Sequence, residues 1–194
     1  MRDAYINIIK KYNVKYFYHF TSINNLDSIL LNGLCNRSYM DRLGIKYNYT
    51  DENRFDNQMN CISFSLDYAN KSMLLYKQKK SSNDWVIIQY SAEKMINDFY
   101  DKIYYCKYNA SSPSVVKLLN ENKKYLKTTK AFENMFDEYG KLNFQAELLL
   151  EGNVSCDYIQ SIYVDCLQTK LIVQQMIENS KYKDIVVIIK KEMF

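Results

Sequence analysis

Four glycines in 194 residues constrain this chain more than any other feature. A phosphate-cradling loop needs several residues without a Cβ, so that the backbone can turn tightly and approach the phosphate. Neither G-x-G-x-x-G nor G-x-x-x-x-G-K-[ST] occurs, so the dinucleotide-binding and P-loop folds built on those turns are excluded. No internal repeat and no low-complexity linker divides the chain. With 47% hydrophobic residues over this length, one domain over residues 1–194 with a proper core is expected.

The hydrophobic pattern alternates irregularly between the two backbone periods. Tyr5, Ile6, Ile8 and Ile9 fall at helical spacing within 4–10, and 15–20 reads as an aromatic strand carrying His19. A short helix follows: Thr21 or Ser22 caps it, Ile23, Leu26, Ile29 and Leu30 make its apolar stripe, and Gly33 stops it. Residues 35–60 are polar and aperiodic, which predicts a long loop with one short helix, and long ordered loops tend to be functional. Further strands are predicted over 61–65, 85–90, 103–106, 145–150, 159–164 and 185–189, and helices over 92–98, 113–125, 130–138 and 168–180. The lysine-rich stretch 77–80, followed by Ser81, Ser82 and Asn83, reads as a solvated turn. Strands scattered among short helices, without regular strand–helix alternation, indicate an α+β fold.

The excess of 26 basic over 22 acidic residues is spread along the chain; it permits contact with nucleic acid without requiring it. Nineteen tyrosines are weak evidence for base stacking, since an Asn-, Lys- and Ile-rich composition arises from an AT-rich genome without selection on function. The cysteines at 35, 61, 106, 156 and 166 form no C-x-x-C pair and His19 is the one histidine, so no metal site and reduced thiols are expected. No signal-like or membrane-length apolar run occurs, which makes a cytoplasmic, membrane-free protein the expectation.

Three places could carry chemistry. His19, at the junction of a strand and a helix, fits either a ligand-holding imidazole or a satisfied strand-end one. Arg54, in the stretch Asn53-Arg54-Phe55-Asp56, has the planar fork that pairs with phosphate, but Arg37 and Arg42 have it equally. Glu147 opens the apolar run Glu147-Leu148-Leu149-Leu150, and a carboxylate there is either at a solvated edge or does chemistry. Gln145 would share its face by the two-residue period.

Taken in order, these segments resemble the DarT family, the toxin half of DarT–DarG toxin–antitoxin systems, whose members ADP-ribosylate bases of single-stranded DNA. The opening YHFTSINNLDSILLNGL is similar to the family's start, RFDNQMNCISFSLDYANKSMLLYK to its arginine-led segment, WVIIQY to the strand that follows, Asn109-Ala110-Ser111 to its Asn-Ala turn, and FQAELLLEG to its glutamate strand. The likeness covers roughly residues 16–165. Three positions depart from it: Ser111 where alanine is frequent, Ala69 where proline is expected, and Phe144 where the family usually has a basic residue.

The resemblance implies a split β-sheet of the ADP-ribosyltransferase kind around an NAD cleft. NAD would be the substrate, His19 and Thr21 would contact its nicotinamide side, Asn25 and Gly33 would line the same pocket, Arg54 would hold the pyrophosphate or activate the acceptor, and Glu147 would be the catalytic carboxylate. The implied acceptor is a base, thymine before guanine, in single-stranded DNA, with the loops 35–60 and 107–143 shaping the choice and Lys46, Lys107 or Lys141 meeting phosphates. The implied partner is a macrodomain antitoxin. RNA or protein as acceptor, or a non-catalytic nucleic-acid-binding module on the same scaffold, are the competing readings.

Overall fold

The computed structural model describes residues 1–49, 56–80 and 84–194. Their strands, β1 (Tyr16–Ser22), β2 (Cys61–Leu66), β3 (Trp85–Ser91), β4 (Ile103–Cys106), β5 (Glu147–Glu151), β6 (Ile159–Val164) and β7 (Val186–Ile189), form one sheet in the order β4-β5-β2-β1-β3-β6-β7. Neighbouring strands are antiparallel except β6 and β7. The helices are α1 (Arg2–Lys11), α2 (Leu26–Asn32), α3 (Arg37–Leu43), α4 (Lys71–Lys80), α5 (Ala92–Phe99), α6 (Pro113–Glu121), α7 (Thr129–Glu133) and α8 (Leu167–Glu178). The expected α+β class is what the chain adopts.

Side chains alternate across the strands, and the two faces of the sheet are built differently. On one face Phe17, Phe64, Ile88, Tyr105, Leu148 and Ile162 belong to a continuous core that also takes in Ile8 of α1, Ile29 of α2, Ile96 of α5 and Val173 of α8. The other face carries two separate clusters. Cys61, Tyr104, Cys106 and Leu149 pack with Val115 and Leu119 of α6, while Tyr18, Trp85, Ile87 and Tyr163 pack with Leu74 of α4.

The gap between those clusters lies at the seam between β1 and β2. Strand β1 is registered with β3 along its whole length, from Tyr16 opposite Ser91 to Ser22 opposite Trp85. It is registered with β2 only at Phe17 opposite Leu66 and Tyr18 opposite Ser65. Beyond Tyr18 the two strands part, and the imidazole of His19 spans the opening: its Nδ1–H donates to the carbonyl oxygen of Ser63 at 2.9 Å. A carbonyl can only accept, so this contact fixes the ring tautomer at that nitrogen. The sheet is thereby split from one end while its other end stays joined.

Several local expectations need correction. The lysine stretch 77–80 is the last turn of α4, not a solvated turn; Asn70 caps that helix, its Oδ1 accepting from the Met73 amide at 3.1 Å. Ser81, Ser82 and Asn83 lie outside the described residues. The helix expected over 113–125 ends at Glu121, where Asn122 leaves helical geometry, and Tyr125–Lys127 forms a separate 3-10 turn; the helix expected over 130–138 spans Thr129–Glu133. Of the two cap candidates, Ser22 caps the 3-10 turn Ile23–Asn25 that leads into α2, its Oγ accepting from the Asn24 amide at 3.3 Å, while Thr21 Oγ1 accepts from Asn25 Nδ2.

Candidate functional site

A cavity of about 470 Å³ occupies the split, within the roughly 300–1,000 Å³ typical of small-molecule sites. His19, Thr21, Asn25, Gly33 and Glu147, the first and last of them 128 positions apart in sequence, all line it. Arg54 lies outside the described residues. Arg37, which the sequence alone ranked equally with it, lines the cavity, and its guanidinium stands 5.3 Å from the centroid of the Tyr49 ring. Arg42 does not line it and lies over Tyr39 instead.

Glu147 is the first residue of β5 and sits opposite Cys106 of β4. The loop after β4 returns over it, and the amide of Ala110 donates to Glu147 Oε2 at 2.7 Å. A hydrogen bond to an ionised group contributes about 1.5–3 kcal/mol, enough to hold one carboxylate oxygen in place before any ligand arrives. The Asn109-Ala110-Ser111 turn that supplies this amide also lines the cavity, and Asn109 Oδ1 accepts from the Ser111 amide at 3.0 Å, which fixes the turn.

Gln145 does not join Glu147. Asn143 Oδ1 accepts from the Gln145 amide and the Ala146 amide donates to the Asn143 carbonyl, both at 2.9 Å, so 143–146 is a turn and the strand period begins only at Glu147. Gln145 is exposed and outside the cavity lining. The asparagine two residues before it was the available signal, since Asn side chains nucleate such turns.

On the opposite wall, Thr21 is buried, and its Oγ1 accepts from Asn25 Nδ2 at 2.9 Å. The same Nδ2 donates to the Asn48 carbonyl at 2.9 Å, and Asn25 Oδ1 accepts from the Asn48 amide at 2.6 Å. Asn25 is thus engaged by the protein itself. It pins residues 47–49, which line the cavity, against β1. Gly33 reaches the cavity through φ +81°, ψ 175°, a region essentially reserved for glycine. It lies so close to Val154 that a Cβ there would meet the Val154 carbonyl oxygen at 2.7 Å.

Helix α4 builds the third wall. Met73, Tyr76 and Lys77 of α4 line the cavity, at the i, i+3, i+4 spacing that puts them on one helix face. Burial pushes the Lys77 ammonium down to about 8, with Arg37 and Lys80 adding to the effect and Glu147 opposing it. Ser63 and Ser65 of β2 and the buried Asp56 complete the floor. None of Lys46, Lys107 and Lys141 lines the cavity. A fixed carboxylate facing hydroxyl, amide and cationic groups across a cleft suits a ligand that carries phosphate and develops positive charge near the carboxylate.

A family model described as DarT, ssDNA thymidine ADP-ribosyltransferase, matches residues 18–194. No curated protein matches the chain by sequence. Among solved structures, Thermosipho africanus DarTG in complex with ADP-ribose is 22% identical with a TM-score of 0.59, over 93% of this chain and 51% of that one. This chain therefore spans about half the length of the Thermosipho protein. Thermus sp. 2.9 DarT in complex with carba-NAD+ is 13% identical with a TM-score of 0.62, over 92% of this chain and 97% of that one. The same Thermus protein in complex with ADP-ribosylated ssDNA matches at 15% identity and a TM-score of 0.57, over 92% and 95%. At these identities the likeness is one of fold. Among the described residues, no helix is long and apolar enough to cross a membrane.

Proposed function

Because the chain belongs to the DarT family of ssDNA thymidine ADP-ribosyltransferases, we propose that it cleaves NAD at the nicotinamide–ribose bond and transfers ADP-ribose to a thymine base of single-stranded DNA. In this reading residues 1–194 act as one domain in the cytoplasm. The observation that carries the proposal is the convergence of His19, Thr21 and an amide-anchored Glu147 on one cavity at the split of the sheet.

Breaking the bond between ribose C1′ and nicotinamide sends its electron pair to nicotinamide and leaves positive charge on the sugar. A carboxylate held beside that sugar stabilises the transition state more than the ground state, and one that is already oriented needs no rearrangement as the charge appears. Glu147 takes this role, with the Ala110 amide as its anchor. The thymine ring nitrogen then bonds to C1′ and gives up its proton, for which Glu147 is the nearby acceptor in this scheme. That nitrogen lies on the Watson–Crick edge and is engaged in a duplex, which accounts for a single-stranded acceptor.

His19 and Thr21 take the nicotinamide side of NAD, and Gly33 shapes the wall through its backbone. Asn25 acts by holding residues 47–49 rather than as a principal contact, because its amide is already engaged. Arg37 is the described arginine in reach of a pyrophosphate in the cavity. Arg54 retains its assignment to the pyrophosphate or the acceptor on the resemblance of its segment. A protein that modifies DNA in its own cell needs neutralising, and a macrodomain antitoxin that removes ADP-ribose from DNA is the partner proposed.

The test is to incubate the chain with NAD and short single-stranded oligonucleotides that differ only in thymine or guanine content, and to look for the mass of one ADP-ribose. Addition that follows thymine supports the reading. Addition that follows guanine replaces the acceptor, and consumption of NAD without modified DNA moves the target to RNA or protein.

A further inference from the structure

Three segments that neighbour Glu147 carry aromatic rings that the fold leaves in water. Tyr76 lines the cavity from α4, is 49% exposed, and has Lys80 Nζ 4.5 Å from its ring centroid. Tyr108 directly precedes the Asn109-Ala110-Ser111 turn that anchors Glu147, is 38% exposed, and has Lys107 Nζ 5.8 Å from its ring. Phe144, in the turn immediately before Glu147, is 66% exposed. Single exposed apolar residues need no explanation. Three rings on segments that border one carboxylate, two of them accompanied by a lysine, make a pattern with a chemical meaning.

We propose that Tyr76, Tyr108 and Phe144 form a stacking platform for the nucleotides flanking the modified base, with Lys80 and Lys107 meeting the adjoining phosphates. The inference rests on the reading of this site as one that acts on single-stranded DNA. Every base has a π-face, so rings at the rim hold a strand whatever its sequence, while the base selected for reaction enters the cavity. A lysine beside a ring serves both the ring and a phosphate one nucleotide along. Duplex DNA hides its base faces in the stack and cannot use such a platform. The Tyr47 and Tyr49 rings, 5.5 Å apart, stand on the segment pinned by Asn25 and belong to the opposite wall.

Binding of a fluorescein-labelled single-stranded oligonucleotide, followed by anisotropy without NAD, tests the platform apart from the chemistry. Replacing Tyr76, Tyr108 or Phe144 by alanine is expected to weaken binding about 5- to 150-fold each, the range of one lost base stack. Tryptophan at the same position retains binding and leucine does not. Lys80→Gln and Lys107→Gln each reduce the slope of log affinity against log salt by about 0.7. Alanine variants that bind like the wild type, or leucine serving as well as tryptophan, overturn the platform. Wild-type chain that ADP-ribosylates the oligonucleotide while the alanine variants bind it normally overturns the platform and leaves the transferase reading standing. Wild-type chain that neither binds nor modifies single-stranded DNA overturns both.

Discussion

Replacing Gly33 by alanine separates a backbone requirement from a ligand contact at the wall of the cavity. The added Cβ would lie 2.7 Å from the Val154 carbonyl oxygen and 3.5 Å from Ser155 Cα. That carbonyl is committed, because it accepts from the Leu34 amide at 2.8 Å while the Val154 amide donates back to Leu34 at 2.9 Å. Relief of the clash must stretch this pair. Holding a residue with a side chain at φ +81°, ψ 175° costs about 1–3 kcal/mol, and forcing a methyl group into closed packing costs about 1–3 kcal/mol more. The sum, about 2–6 kcal/mol, is a large part of the roughly 5–15 kcal/mol that holds a domain folded. Gly44 is the internal control. Its φ is +66° but among the described residues nothing lies within 4 Å of its missing Cβ, so Gly44→Ala is expected to meet only the left-handed penalty of about 1–2 kcal/mol. At about 2–4 °C per kcal/mol for a chain of this size, thermal unfolding should show a fall of roughly 5–20 °C for Gly33→Ala and of roughly 2–8 °C for Gly44→Ala. A Gly33→Ala chain that melts no lower than Gly44→Ala refutes the close-approach argument and returns Gly33 to the role of a direct ligand contact.

Three further outcomes are expected. Trp85 is the one tryptophan of the chain and lines the cavity, so saturating NAD should change its emission; an unchanged spectrum would place NAD elsewhere. Asn25→Ala removes the acceptor for the Asn48 amide and should speed hydrogen exchange there about five-fold, the worth of one hydrogen bond near 1 kcal/mol; equal exchange would deny the pinning role. Lys77 has a folded-state pKa pushed down to about 8 from the ordinary 10.5. Between those values the unfolded chain holds a proton that the folded chain has released, so Lys77 makes stability rise with pH across that window. Lys77→Met should flatten the rise in denaturant titrations from pH 8 to 10.5, and the same slope in both chains would show that Lys77 is not so perturbed.

How far the sequence could be read depended on whether a signal was local. The β1–α2 unit with its Gly33 stop was legible because strand, cap, apolar stripe and glycine lie within eighteen residues. Strand β3 stood out as an apolar run, being buried on both faces. Helix α4 was missed because Leu74 is its single buried residue, which leaves no stripe to detect. Asn70 was the sole local cue. Glu147 was found as a carboxylate opening an apolar strand, with the resemblance deciding between its two readings. Its anchor at Ala110, the cavity wall built from Lys77 and Arg37, and the split between β1 and β2 all depend on long-range pairing. Cys61 faces Glu151 across ninety positions of chain, and no periodicity in the sequence encodes that register. The exclusion of Gln145 came from an Asn turn that a strict two-residue period overlooked.

Whether the carboxylate of Glu147 performs the transfer is tested with the least disturbance by Glu147→Gln, since the amide keeps the shape and an oxygen for the Ala110 N–H. The measurement is the mass of a thymine-containing single-stranded oligonucleotide after incubation with NAD and either chain, alongside a melting curve of each. Loss of one preorganised electrostatic group is worth about 10²–10³ in rate. One added ADP-ribose is expected with the wild type, none over the same period with Glu147→Gln, and melting temperatures within a few degrees of each other. A folded Glu147→Gln chain that modifies the oligonucleotide at the wild-type rate would strip Glu147 of the catalytic role.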